Sequence, residues 1–101
     1  MLVRIVRMTF QQEKVDDFLN LFEATKDRIR SFDGCEHLEL HKDYHQPNIF
    51  VTYSIWRDDK ALESYRYSEL FEEVWSKTKP LFKEKPVAFS NKPYIKVTPA
   101  H

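Results

Sequence analysis

Residues 49–56, Ile49-Phe50-Val51-Thr52-Tyr53-Ser54-Ile55-Trp56, put apolar side chains at odd and even positions alike. Successive strand residues point to opposite faces, so a strand of this kind needs cover on two sides. The chain has 101 residues, room for one domain with about one layer of helices on one sheet. One side can be covered from within. The other calls for a second copy of the chain, and a two-fold homodimer is the expectation.

The rest of the pattern supplies the partner elements. Leu2 to Phe10 is rich in Val, Ile and Met and reads as a strand. From Glu13 the period lengthens. Val15, Phe18, Phe22 and Ile29 share one face of an amphipathic helix, expected to stop at Asp33-Gly34, where the single glycine is free to take positive φ. Cys35 to Lys42 alternates, with Leu38 and Leu40 opposite His37, Glu39 and His41, and Asp43 to Asn48 forms the turn of a hairpin with residues 49–56. Asp58 or Asp59 is placed to cap a short helix through Tyr67, and Ser68 to cap another bearing Leu70, Phe71, Val74 and Trp75, which Pro80 bends or ends. Val87-Ala88-Phe89 reads as a short strand. Tyr94-Ile95-Lys96-Val97 reads as a final one able to cross to a partner subunit. The order strand, helix, strand, strand, helix, strand predicts an α+β domain of the ferredoxin-like split βαβ type, an antiparallel sheet with helices on one face. Two such sheets packed through their bare faces make a dimeric α+β barrel. The whole of 1–101 is one domain, with a core over about 1–90 and an extension over 91–101.

Composition excludes several classes. Sixteen basic residues balance sixteen acidic ones, so there is no overall field toward nucleic acid or an anionic membrane. One glycine cannot build a phosphate-binding loop, and Cys35 alone permits no intrachain disulfide and no cysteine-based zinc site. No apolar run approaches the ~18 residues of a membrane span, and the first residues lack the apolar core of a signal peptide. A cytoplasmic protein is the expectation. Aromatics reach 15% of the chain, more than a small core requires, which points to a pocket or an interface.

Val3-Arg4-Ile5-Val6-Arg7-Met8, Phe32-Asp33-Gly34-Cys35, Tyr53-Ser54-Ile55-Trp56 and Tyr65-Arg66-Tyr67-Ser68-Glu69-Leu70-Phe71 together resemble the antibiotic biosynthesis monooxygenase domain family, over roughly residues 1–90. The resemblance implies a dimeric α+β barrel with a pocket between helices and sheet. It also implies oxidation of phenolic or quinol-type aromatics by molecular oxygen with no cofactor and no metal. Some relatives instead degrade haem. The places of that branch's Asn, Trp and His hold Met8 or its neighbours, Tyr65 and Trp75 here, which sets haem degradation aside. Many relatives carry a His where Tyr65 stands.

Trp56, Tyr65, Phe71 and Trp75 are the candidate walls of a slot for a small aromatic ligand, with Tyr53, Tyr65 and Arg66 as its polar groups. Arg66 would favour a phenolate. His37, Glu39 and His41 line up on one strand face about 6.6 Å apart, and the outer pair, roughly 13 Å apart at the backbone, is too distant to converge on one metal ion from a flat strand. His37, nearest the strand start, is the candidate general acid or base. The catalytic candidates are therefore Tyr65, Arg66 and His37. The alternatives to a monooxygenase are a non-catalytic ligand-binding dimer of the same fold and an isomerase similar to the sugar mutarotases that share this barrel.

Overall fold

The computed structural model describes residues 1–100. Its elements are β1 (Leu2–Thr9), α1 (Val15–Arg30), β2 (Cys35–Lys42), β3 (Ile49–Trp56), α2 (Asp59–Arg66), α3 (Glu69–Thr78) and β4 (Val87–Asn91). The strands form one antiparallel sheet in the order β2-β3-β1-β4. β3 therefore lies between β1 and β2, the split βαβ arrangement expected from the element order.

Local chemistry accounts for the helix boundaries. The Asp58 carboxylate accepts from the Ala61 amide at 2.8 Å and the Ser68 hydroxyl from the Phe71 amide at 3.1 Å, satisfying amide groups that α2 and α3 would leave unpaired. α3 gives way at Lys79 to a single tight turn containing Pro80. α1 stops at Arg30, short of the expected Asp33-Gly34: the Phe32 amide turns back to the Ile29 carbonyl at 3.1 Å, a tighter bond than the one that would continue the helix. Gly34 follows at φ +89°, and a side chain there would collide with Ala61 of α2. The glycine thus lets the α1–β2 turn sit against the helical layer.

Register divides the side chains between two faces. Leu2, Arg4, Val6 and Met8 of β1 and Phe50, Thr52, Ser54 and Trp56 of β3 point to the helices. Val3, Ile5 and Arg7 sit opposite Ile55, Tyr53 and Val51 and, with β4's Asn91, Phe89 and Val87 and β2's His37, Glu39 and His41, tile the open face. A bulge between Cys35 and His37 reverses the alternation of β2 at its start. Cys35 accordingly packs inside while His37 points out.

The core under the helices is in two parts. One is built around Trp56, Ile29, Leu62 and Tyr65, the other around Phe10, Phe18, Met8 and Phe50. They do not merge.

In the single chain Tyr94–Val97 forms no strand. β4 pairs antiparallel with β1 and reaches Val3 at Asn91, so the chain beyond runs past the first residues of β1 and finds no ladder to join. Pro93 also lacks an amide donor. Tyr94, Ile95 and Val97 stay exposed. No helix among the described residues is long and apolar enough to cross a membrane.

Candidate functional site

A cavity of about 270 Å³ opens where the two parts of the core fail to meet. Its floor is the helix-facing row of β1 and β3; its roof is α2, α3 and the apolar face of α1. The aromatic wall is continuous. Tyr65 stacks on Trp56 with ring centroids 4.9 Å apart and 26° between planes, meets Phe71 edge-on at 5.2 Å, and Phe71 stacks on Trp75 at 5.7 Å. Trp56 is 1% exposed, whereas Phe71 and Trp75 are only half-buried, so the wall runs from the core to the mouth.

The polar groups on this wall are few. Trp56 donates its indole N–H to Ser54 Oγ at 3.0 Å, which leaves the serine hydroxyl hydrogen free to point elsewhere. Tyr65 is buried, yet its hydroxyl hydrogen-bonds to no protein group among the described residues and is not sealed away. Burial pushes its pKa well above the ordinary tyrosine value, with the neighbouring Cys35 adding to the effect. Tyr65 is therefore a neutral phenol, a hydrogen-bond donor. Arg66 stands exposed at the mouth and Arg4 half-buried further in. Among the described residues no carboxylate or imidazole lines the cavity.

The structure brings Trp56, Tyr65, Arg66, Phe71 and Trp75 together around this space. It does not bring Tyr53 or His37 there. Both lie on the open face of the sheet, where Tyr53 stacks on His41 at 5.8 Å and meets His37 edge-on at 5.7 Å. The rings of His37 and His41 turn toward each other and bind the two oxygens of Glu39, His37 Nε2 to Oε2 and His41 Nε2 to Oε1 at 2.8 Å. Those hydrogen bonds, His41's first, hold the Glu39 carboxyl below the usual carboxylate range. Long side chains thus close the gap that the backbone spacing leaves. Among the described residues no group of His, Cys, Asp or Glu is placed to hold a metal ion.

Arg4 and Ser54 escaped the reading of the sequence as site residues. A signal was present for Arg4: it interrupts the row Leu2, Val6, Met8, which faces the helices, whereas Arg7 belongs to the other face.

A family model described as antibiotic biosynthesis monooxygenase matches residues 1–75. Among solved structures, the crystal structure of an antibiotic biosynthesis monooxygenase superposes with a TM-score of 0.88 at 21% identity, covering 94% of this chain and 100% of that one. A conserved protein from Methanosarcina mazei Go1 gives 0.87 at 19% identity, with 93% of this chain and 94% of that one covered. A protein from Mycobacterium tuberculosis gives 0.86 at 18%, with 96% and 98% covered. At such identities the structural likeness carries the fold alone. No curated protein sequence matches.

Proposed function

This chain belongs to the antibiotic biosynthesis monooxygenase family, and from that membership we propose that it oxygenates a small phenolic or quinol-type aromatic bound in the cavity between helices and sheet. The observation that carries the proposal is the continuous aromatic wall of Trp56, Tyr65, Phe71 and Trp75, closed at one end and flanked by a cationic mouth. A flat ring slides against such a wall with offset or edge-on contacts, each adding ~0.5–1.5 kcal/mol beyond area burial. The volume suits a flat ligand of up to three fused rings.

The chemistry proposed for the bound ring needs electrons from the substrate alone. A phenol that enters as its phenolate is electron-rich at the conjugated ring carbons. A methylene group conjugated with it gives up two hydrogens and becomes a carbonyl, one oxygen atom of O₂ entering the product and the other leaving as water. The cavity favours the anion because Arg66 and Arg4 are cations and no carboxylate among the described residues opposes them. Neutral Tyr65 donates to the phenolate oxygen and does not compete for its negative charge. Apolar walls keep bulk water from the reacting carbon.

We further propose that the protein works as a homodimer through the open face of the sheet. Val3, Ile5, Val51, Tyr53, Ile55, Val87 and Phe89 form an apolar field bordered by His37, Glu39, His41 and Arg7. A second copy is the occupant that matches such a field by self-complementarity. The exposed Tyr94–Val97 segment is long enough to lie along that partner.

Oxygen-electrode measurements with hydroquinones and anthrone-type phenols test the activity. Substrate-dependent oxygen consumption that falls when Phe71 or Trp75 is truncated to Ala is the expected result. Ring binding without any oxygen uptake across the panel would leave the second reading, a non-catalytic ligand-binding dimer, which the lack of a proton-accepting side chain in the cavity favours.

A further inference from the structure

Arg4 is in an unusual place. It stands in the helix-facing row of β1 between Leu2 and Val6, with Ser54 opposite on β3 and Ser90 opposite on β4. A guanidinium carries five N–H donors and is seldom taken out of water without a counter-charge. Here one protein hydrogen bond is made, from Nη1 to Ser90 Oγ at 3.1 Å. No carboxylate lies within ion-pairing distance of Arg4 among the described residues, and Arg4 is the cation whose side chain stands in the floor of the cavity. The second cation of the same cavity, Arg66, is likewise without an acidic partner among the described residues. Burial and then the charge of Arg66 both push the Arg4 pKa down. Two like charges line one cavity, and no acidic group among the described residues pairs with either.

We infer that the ligand brings the counter-charge: the cavity takes an aromatic acid, its ring on the Trp56–Tyr65–Phe71–Trp75 wall and its carboxylate between Arg4 and Arg66. This rests on the proposed reading of the cavity as an aromatic-binding site and narrows its substrate class. A carboxylate has two oxygens, so it can meet a guanidinium on each side, whereas a phenolate has one. It is ionised across the physiological range. A phenolic acid would then satisfy both demands, its carboxylate held by the arginines and its phenol oxygen available to Tyr65. Arg4 is a binding residue in this reading, and its place in a core-facing row follows from the need to reach a charged group inside the pocket.

The test is binding of 1-naphthoate, 1-naphthamide and 1-naphthyl phosphate to the full chain, followed by quenching of Trp56 and Trp75 fluorescence and by calorimetry. Hydrogen bonds to charged groups predict naphthoate to bind about tenfold or more tightly than the isosteric amide, with an advantage that shrinks as salt rises. Arg4→Met and Arg66→Met should each remove most of that advantage and leave the affinity for the amide unchanged. Arg66 is exposed, so its variant is expected to fold whatever Arg4→Met does. Arg4→Met serves as a second check: an arginine kept for architecture would lower the unfolding temperature when replaced, whereas relief of an unpaired charge leaves it equal or higher. Equal affinities for acid and amide would overturn the inference while leaving the aromatic cavity standing. Failure of all three probes to bind would overturn both. A preference for the phosphate over the carboxylate, lost in the same variants, would overturn the assignment to aromatic acids.

Discussion

The two faces of the sheet treat their polar groups in opposite ways. On the open face Glu39 is bound by His37 and His41, and Tyr53 packs against both rings, so the polar cluster satisfies itself. On the helix-covered face, among the described residues, Arg4 has no acidic partner and the Tyr65 hydroxyl no hydrogen-bond partner, and two parts of the core stop short of each other. An unfilled space beside unmet hydrogen-bonding capacity is what a ligand would complete. A self-satisfied polar cluster beside an apolar field is what a flat protein contact would bury. The same four strands thus present two kinds of surface.

The most severe way to break this contrast is truncation. Trp56→Ala should cost about 3–5 kcal/mol in denaturant unfolding, as for a large aromatic removed from a packed core. Tyr53→Ala on the open face should cost a single chain less than half of that, and equal losses would abolish the distinction. Association comes next. Phe89 is 45% exposed in the lone chain, and a two-fold contact uses it twice, so Phe89→Asp should weaken a dimer by about a hundredfold or more without unfolding it. Sedimentation reads the change in mass, and a wild-type chain that runs alone at micromolar concentration would refute the dimer.

Smaller effects sharpen the electrostatic side. The folded pKa of Tyr65 is raised, so its contribution is complete below the ordinary value of 10.0 and is lost as pH rises above it. Stability should fall by about 1 kcal/mol from this group between pH 10 and 11, and Tyr65→Phe should flatten that slope in unfolding curves. Glu39 has the opposite sign. Its folded pKa is depressed, so its contribution is present above the ordinary value of 4.5 and is lost as pH falls through the lowered one. Its side chain is half exposed, so the contribution is small: Glu39→Gln should lower the unfolding midpoint slightly at neutral pH and flatten the acid-side decline.

Much of the architecture is legible along the chain because it is local. The bounds of β2 and β3, the caps at Asp58 and Ser68 and the end of α3 before Pro80 follow from alternation, from side-chain oxygens able to accept from nearby amides, and from a missing N–H. The candidate site was legible in part. Tyr65, Phe71 and Trp75 are aromatic on helices that must pack on the sheet, so placing those three together required no knowledge of register. Tyr53 and His37 misled for the complementary reason: a tyrosine and a histidine look alike from either side of a strand. The bulge at Cys35 shows the difficulty, since one extra residue reverses the direction of every side chain before it.

What the amino-acid order settled by itself is the set of elements, since periodicity, capping and turn chemistry act over a few residues. Which row of each strand meets the helices, that Arg4 shares a mouth with Arg66, and that a space survives between the Trp56 and Phe10 ends of the core were decided only when the helices docked. That Tyr94–Val97 joins no ladder of its own sheet was decided the same way, by where β1 begins. A cavity is volume left over by side chains far apart in sequence, and a ladder needs a neighbour to pair with; both depend on positions in space that no local pattern encodes.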